Sequence, residues 1–198
     1  MAAEFGLAPE QLLGLKQVHG AAVITVTAPW AIGAGPAADA MVTAIPGLAL
    51  GIITADCAPV LFADEAQSIV GATHAGWRGA LAGVLEATAA AMRALGAQNI
   101  RAVIGPCIQQ KSYEVSADLR DPVLARDAAH ARYFAPGRAE RWQFDLPGYC
   151  AARLQEAGVT TEILPLDTCA EDQNFFSHRR RTLRDESAIG HQVSVICI

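Results

Sequence analysis

Short apolar runs, separated by glycine, proline and polar residues, recur along most of the chain. The run at residues 21–27 is rich in β-branched side chains, which favour strands. The runs that follow are apolar at consecutive positions, a pattern typical of strands covered on both faces. The pattern predicts strands at residues 21–27, 41–43, 48–54, 59–62, 68–75, 100–104, 160–164 and 192–198.

Helices are predicted between these strands, over residues 4–16, 80–95, 116–133 and 146–157. The clearest is 80–95, which Gly96 ends, because glycine readily takes the left-handed conformation that closes a helix. The Gly/Pro/Ala-rich residues 31–38 are expected to form a mobile loop, and the arginine-rich residues 178–184 a solvated one. Helices that interrupt runs of strands predict an α/β (α+β) fold, a single-domain sandwich of mixed β-sheets flanked by helices over residues 1–198.

Composition and charge exclude several classes of protein. Hydrophobic residues make up 52% of the chain and charged residues 18%, which excludes disorder. A formal net charge of -5 gives no basic footprint for nucleic acid. The longest apolar run, residues 47–55, is too short to cross a membrane, and the first residues lack the features of a signal peptide. Five cysteines without a CxxC motif predict free thiols and a cytoplasmic location.

Three residues with metal-binding side chains stand at the ends of predicted strands. They are His19, Cys57 and His74. Two imidazoles and a thiolate suit Zn²⁺ or copper, and three protein ligands leave one position open, as in catalytic zinc sites. Their spacing matches no short metal motif, so a role in the core or in a turn is the alternative for each.

Two cysteines have a second interpretation. Cys57 is a candidate nucleophile with His74 or His19 as its base, which would make the protein a Cys-His amide hydrolase. Cys107 also follows a strand and a turn. It either lines the same cleft or is a small buried hydrophobic residue.

Arg78 lies in a Gly-Trp-Arg-Gly turn that leads from a strand into a helix. Free backbone N–H groups at a helix start and a guanidinium both attract anions, so this turn predicts a site for phosphate. An ordinary turn with a surface arginine is the alternative.

Five segments, in this order along the chain, resemble motifs of the YfiH/laccase-domain family. This family has long been labelled polyphenol oxidoreductase and is related to the animal protein FAMIN. The segments are Lys16-Gln-Val-His-Gly20, Thr54-Ala-Asp-Cys-Ala-Pro59, Thr73-His-Ala-Gly-Trp-Arg-Gly79, Ile104-Gly-Pro-Cys-Ile108 and Phe175-Phe-Ser-His-Arg-Arg180.

The resemblance implies a Zn²⁺ ion held by His19, Cys57 and His74. It also implies phosphorolysis of the purine nucleosides adenosine, inosine and methylthioadenosine, with an adenosine deaminase side activity. Family members usually begin several dozen residues earlier, so we expect this chain to lack the family's N-terminal segment, which contributes to the substrate pocket.

Three other functions stay open from the sequence. The older family label implies copper-dependent oxidation of polyphenols, but such enzymes need several copper centres and the chain has five histidines. The fold also resembles that of toxin deamidases, which favours the Cys-His hydrolase. A partner-binding domain without enzymatic activity is the remaining alternative.

Overall fold

The computed structural model describes residues 2–198. In chain order, the strands are β1 (Leu12–Leu13), β2 (Val23–Thr25), β3 (Ala40–Thr43), β4 (Ala49–Thr54), β5 (Ala58–Asp64), β6 (Ile69–Ala75), β7 (Arg101–Ile104), β8 (Glu114–Val115), β9 (Phe134–Pro136), β10 (Trp142–Phe144), β11 (Thr160–Ile163) and β12 (Gln192–Cys197). The α-helices are α1 (Trp77–Ala82), α2 (Val84–Ala94), α3 (Ala117–Arg126), α4 (Leu146–Glu156) and α5 (His178–Arg184). Short 3-10 helices occur at Ala2–Phe5, Pro9–Gln11, Glu65–Gln67, Gln110–Ser112 and Ala128–Tyr133.

The strands form three sheets. The largest has the order β11-β7-β5-β6-β3-β2, in which the two outer pairs are parallel and the inner pairs are antiparallel. In the second sheet, β1 is parallel and β12 antiparallel to the central strand β4. The third is a small antiparallel sheet with the order β8-β10-β9.

The largest sheet separates two hydrophobic cores. One core lies on its helical side, where α2 and α4 pack, and includes Phe62 and Leu85. The other lies between the largest sheet and the second sheet, and includes Met41 and Leu50. Successive side chains of a strand point to opposite faces, so Met41 and its neighbour Val42 enter different cores. This arrangement confirms the predicted sandwich of mixed sheets flanked by helices.

The prediction of a helix over residues 4–16 is wrong. Two short 3-10 helices and strand β1 occupy this segment. Gly6 interrupts the segment with a φ of +69°. Leu13, whose side chain is buried, pairs with β4 and contributes to the core between the sheets. The leucines therefore form an edge strand, and tertiary packing outweighs their helical propensity.

The predicted helices at residues 80–95 and 116–133 are each divided. Gly83, with a φ of +97°, ends α1 and starts α2, while Gly96 follows α2 at a φ of +108°. In the second segment, Asp127 is extended and its carboxylate accepts an N–H group of the 3-10 helix that follows α3. A left-handed glycine and an N-capping aspartate are both typical interruptions of a helix.

Two further differences concern short segments. Residues 178–184 form α5 rather than a loop, and the Ser177 hydroxyl accepts the Arg180 N–H group at 3.1 Å as an N-cap. The strands of the small sheet are missing from the predictions because each has only two or three residues, too few to show an apolar period. Residues 31–38 contain no helix, and their mobility stays a prediction.

Two predictions from composition agree with the structure. Among the helices within residues 2–198, none has the length and apolar character needed to cross a membrane. All five cysteines are free thiols, namely Cys57, Cys107, Cys150, Cys169 and Cys197.

Asp64, the last residue of β5, is a buried carboxylate that holds two turns together. Its Oδ2 accepts the N–H groups of Asn99 and Gln98 at 2.7 and 2.6 Å, and its Oδ1 accepts that of Gln67 at 3.3 Å. The Asn99 and Gln98 N–H groups hold the pKa of Asp64 below its usual value. The ionised form therefore stabilises the fold.

We expect Asp64→Asn to lower the free energy of unfolding at pH 7 and to reduce its loss in acid. A depressed pKa gives stability that is present above pH 3.8, the ordinary value, and is lost as the pH falls through the folded-state pKa. Urea unfolding from pH 7 to pH 3 measures this, with Glu65→Gln as the exposed control. Parallel stability curves for Asp64→Asn and the natural protein would contradict the assignment.

Candidate metal centre

His19, Cys57 and His74 converge on one point. Their ligating atoms all lie within 4.8 Å of one another, slightly wider than the separation of about 4 Å expected for tetrahedral zinc. The Cys57 Sγ atom is 3.9 Å from Nε2 of His19. The two imidazole rings meet edge to face, with centroids 4.7 Å apart. His74 is buried, Cys57 half-buried and His19 exposed, so the group opens toward solvent on the His19 side.

The three residues come from turns and strand ends at one edge of the sandwich. His74 is in β6, two residues after Ala72, and so points to the side of the second sheet. Cys57 lies in the turn from β4 to β5, which connects the two sheets. His19 lies in the turn between β1 and β2, which also connects them. The site therefore forms where the chain passes between the sheets.

The Asp39 carboxylate positions both histidines. Its Oδ1 lies 2.8 Å from Nδ1 of His74 and accepts the His19 backbone N–H at 2.9 Å. The N–H groups of Val18 and Gly20 also donate to this carboxylate, at 3.2 and 2.6 Å. Because an ionised carboxylate only accepts, Nδ1 of His74 carries the proton and Nε2 keeps its lone pair for a metal.

The turn around His19 depends on this carboxylate. His19 has a φ of +60°, a left-handed conformation that costs a non-glycine residue about 1–2 kcal/mol. Three consecutive N–H groups converge on Asp39 and offset this cost, since hydrogen bonds to a charged acceptor are the strong ones.

The environment sets the charge of both partners. Burial acts to raise the pKa of Asp39, but the His74 hydrogen bond and the three backbone N–H groups hold that pKa below its usual value. Burial lowers the pKa of His74, although the Asp39 hydrogen bond acts in the opposite direction. His74 is therefore a neutral imidazole at neutral pH, the form that binds metals.

Asp56 fixes the turn that carries Cys57. Asp56 has a φ of +90°. Its carboxylate accepts hydrogen bonds from the Thr168 hydroxyl at 2.7 Å and from the Arg179 backbone N–H at 2.6 Å. Its carbonyl accepts the N–H of Ile108 at 2.9 Å. One aspartate thus connects the cysteine turn to two later loops and to the first turn of α5.

The metal-free Cys57 thiol is a weak nucleophile. Burial raises the pKa of Cys57 to about 12, with Asp56 and Asp39 acting in the same direction. The thiol is therefore protonated at neutral pH unless a cation stabilises the thiolate. This environment favours a metal ligand over an independent nucleophile.

Gly76 leaves room for the side chains of Cys57 and His19. A Cβ atom at this position would lie 2.9 Å from Cys57 Sγ and 3.1 Å from Cδ2 of His19. Both separations are shorter than ordinary van der Waals contacts, so only glycine fits without displacing the two side chains.

The three residues line a cavity of about 750 Å³. Arg78, predicted as an anion ligand, lines it too, and its guanidinium lies 4.4 Å from the centre of the Trp77 ring. Cys107 does not reach this cavity. It is fully buried in the core, and the neighbouring Ile108 takes part in the lining instead.

Several residues of the site were missed in the sequence. They are Asp39, Asp56, Tyr113 and Arg179, of which all but Asp39 line the cavity. Asp39 stands two residues before the predicted strand at residues 41–43. This position near a strand end, which resembles the positions of the histidines and the cysteine, was the available signal. Asp56 follows β4 and Arg179 lies in the first turn of α5, both inside segments that carry the family resemblance, whereas Tyr113 lies in a loop that gave no comparable signal.

The residues present fit a metal ion. One sulfur and two imidazole nitrogens form the ligand set, the neutral His74 has its orientation fixed, and the open side faces the cavity.

Residues 1–198 match the family described as multi-copper polyphenol oxidoreductase laccase. The chain is 40% identical over 172 residues to the purine nucleoside phosphorylase of Xylella fastidiosa, covering 84% of this chain and 66% of that protein. It is 39% identical over 187 residues to purine nucleoside phosphorylase ORF3 of Streptomyces griseus, covering 90% of this chain and 73% of that protein. The chain thus spans just under two thirds of the Xylella relative.

The fold agrees with these matches. The crystal structure of the Bacillus licheniformis hypothetical protein YfiH superimposes with a TM-score of 0.90 at 28% identity, covering 100% of this chain and 78% of that one. Because the family match extends over residues 1–198 and the fold is shared, the chain belongs to the YfiH family of polyphenol oxidoreductase laccase proteins.

Proposed function

We propose that this protein is a zinc-dependent purine nucleoside phosphorylase. The observation that carries the proposal is the donor group of His19, Cys57 and His74 in the wall of a cavity of about 750 Å³. A cavity of this size accommodates a small organic substrate. The Xylella and Streptomyces relatives are named purine nucleoside phosphorylases. Adenosine, inosine and methylthioadenosine are the proposed nucleosides, with phosphate as the second substrate.

The proposed reaction exchanges one bond at C1′ of the ribose for another. A phosphate oxygen supplies the electron pair for the new C1′–O bond, while the C1′–N9 bond breaks and its electron pair leaves with the base. The base takes up a proton, so the products are a free purine and ribose 1-phosphate, or the 5-methylthio derivative of that sugar phosphate when methylthioadenosine reacts. The protein must therefore hold an anion beside an oriented nucleoside.

Arg78 is the proposed phosphate ligand. It forms no ion pair with any residue from 2 to 198, and its guanidinium rests on the Trp77 ring, so its N–H donors are available to an anion. Helix α1 has six residues, and we therefore assign the anion to the guanidinium rather than to the helix start.

Zinc is the proposed metal because a catalytic zinc site has three protein ligands and one open position. When bound, a divalent cation supplies a Lewis acid that polarises an oxygen or activates water. Activated water is what adenosine deamination requires, and this supports the proposed side activity.

Because all five thiols are free, we also propose a reducing compartment, the cytoplasm.

Copper-dependent oxidation of polyphenols is the second candidate, favoured by the family description. Two histidines and a cysteine also bind copper. A multi-copper oxidase needs further centres, however, and His19, Cys57 and His74 are the one group of this kind within residues 2–198. A metal-free Cys-His hydrolase is disfavoured by the raised pKa of Cys57.

Incubation of the metal-analysed protein with inosine and phosphate tests the proposal. We expect hypoxanthine and ribose 1-phosphate in equal amounts, and neither product when phosphate is omitted. Oxidation of phenols by the copper-loaded protein, with no phosphate-dependent product, would overturn the proposal in favour of the second candidate.

Removing one ligand is expected to release the metal. Cys57→Ser and His74→Ala should each lower the bound zinc from about one ion per chain to a small fraction, because three ligands are needed for tight binding. Cys169→Ser, which also removes a half-buried thiol, is the matched control and should keep its zinc. Zinc retained in both ligand variants, measured by elemental analysis, would place the metal elsewhere.

Asp39→Asn is expected to weaken zinc binding by about 10- to 100-fold, as is usual for a residue that orients a metal ligand. The amide oxygen still accepts hydrogen bonds, but the amide NH₂ group only donates, so the side chain cannot satisfy four donors or favour the basic imidazole as a carboxylate does. Competition with a chelator measures the affinity, and circular dichroism controls for folding. A folded variant with unchanged affinity would refute this role.

Arg78→Ala is expected to leave the zinc content unchanged, because arginine is not a ligand. It should raise the KM for phosphate, or lower phosphorolysis, by one to two orders of magnitude, which corresponds to about 1.5–3 kcal/mol. Deamination of adenosine, which uses water, should lose less. Arg101→Ala, at an exposed ion pair on β7, is the control.

Two results would contradict the role of Arg78. An equal loss of both reactions would make it a residue for folding or for nucleoside positioning. Unchanged phosphorolysis would mean that the anion binds elsewhere.

A further inference from the structure

We propose that the hydroxyl group of Tyr113 donates a hydrogen bond to phosphate in the cavity, beside Arg78 and Arg179. This inference rests on the proposed phosphorylase function, because it gives the phosphate of that reaction a second and a third contact. Tyr113 would then be a substrate-binding residue in addition to the metal ligands and Arg78.

The position of Tyr113 is fixed by its backbone and its ring. Its N–H donates to the carbonyl of Gln110 at 3.2 Å, and its carbonyl accepts the N–H of Phe144 at 2.9 Å. The ring packs at 6.0 Å from the Phe144 ring, and the Arg179 guanidinium lies 5.7 Å from its centre. The Tyr113 side chain is half-buried and lines the same cavity as His19, Cys57 and His74.

The Tyr113 hydroxyl makes no hydrogen bond within the part of the chain that the structure describes. The other two tyrosines that are buried differ from it. The Tyr133 hydroxyl accepts a hydrogen bond from Arg132 at 2.7 Å, and the Tyr149 hydroxyl is sealed inside the core. Of the three, the Tyr113 hydroxyl alone is both unpaired and placed at a cavity.

The residues that share the cavity with Tyr113 set the electrostatic surroundings of its hydroxyl. Cys57, Asp56, Arg78 and Arg179 all line the same cavity. Burial raises the pKa of Tyr113 well above its usual value, so the phenol keeps its proton at neutral pH. The hydroxyl can therefore donate a hydrogen bond, and no protein group within residues 2–198 accepts one from it.

An anion is the acceptor that these neighbours favour. Arg78 has no ion pair within residues 2–198, and the Arg179 side chain uses only Nη2, which donates to the carbonyl of Glu114 at 2.5 Å. Asp56 is the one carboxylate among the residues that line the cavity. Its two oxygens already accept hydrogen bonds from the Thr168 hydroxyl and the Arg179 backbone N–H. Two guanidinium groups and a neutral phenol provide the donors that a tetrahedral oxyanion needs.

Phosphate binding by Tyr113→Phe tests the inference. The variant removes only a hydroxyl group that has no protein partner within residues 2–198, so the fold and the zinc content should stay unchanged. We expect the Kd for inorganic phosphate, measured by calorimetry on the full chain, to rise about 10-fold. The KM for phosphate should rise by a similar factor, with the KM for inosine unchanged.

Tyr133→Phe is the matched control. It also removes one hydroxyl, but Tyr133 does not line the cavity, so its Kd for phosphate should equal that of the natural protein. An unchanged phosphate Kd in Tyr113→Phe would overturn the inference, as would a natural protein that binds no phosphate. A rise confined to the KM for inosine would also overturn it and make Tyr113 a nucleoside contact.

The two proposals fail in different ways. If the natural protein binds phosphate but forms no hypoxanthine, the phosphorylase function is wrong, while the Kd of Tyr113→Phe still decides whether the hydroxyl holds the anion. If phosphorolysis is present and Tyr113→Phe behaves as the natural protein in every measurement, only the inference about Tyr113 is wrong.

Discussion

The candidate site depends on one buried negative charge, the carboxylate of Asp39. A buried carboxylate is costly unless its oxygens are fully hydrogen-bonded, and the backbone N–H groups at residues 18–20 and the His74 ring are its donors. The same contacts fix the two histidines of the candidate metal site at once. One ring has its tautomer and orientation set directly, while the other belongs to a left-handed turn that the carboxylate stabilises. Loss of this charge would therefore disturb folding and metal binding together.

A second aspartate, Asp56, has the corresponding role for Cys57, the sulfur donor of the candidate site. Asp56 holds the turn that carries Cys57 and connects it to α5 and to the loop of Thr168. Each donor of the metal group thus lies in or beside a segment held by a carboxylate. This arrangement disfavours ionisation of Cys57, because burial and both carboxylates raise the pKa of its thiol. A cation reverses that effect, so metal binding and the ionised thiolate favour each other.

The sequence predicted most of the buried strands and the convergence of His19, Cys57 and His74, because both leave local signals. Continuous apolar runs mark the two-sided strands, and His19, Cys57 and His74 stand where such runs end. Local sequence signals gave wrong predictions where tertiary contacts decide the structure. The leucines of β1 have the composition of a helix but pair with β4, and Cys107 follows a strand end as Cys57 does, yet it points into the core. Tyr113 reaches the cavity from a loop that no hydrophobic period describes, and Arg179 reaches it from the first turn of α5, a segment that the sequence predicted as a loop.

X-ray absorption at the zinc edge of the purified protein tests the central claim most directly. We expect one zinc ion with two nitrogen ligands at about 2.0–2.1 Å, one sulfur ligand at about 2.3 Å and one light ligand, as three protein donors and an open position require. The sulfur shell should vanish in Cys57→Ser. A spectrum without sulfur in the natural protein, or an unchanged sulfur shell in Cys57→Ser, would contradict the account.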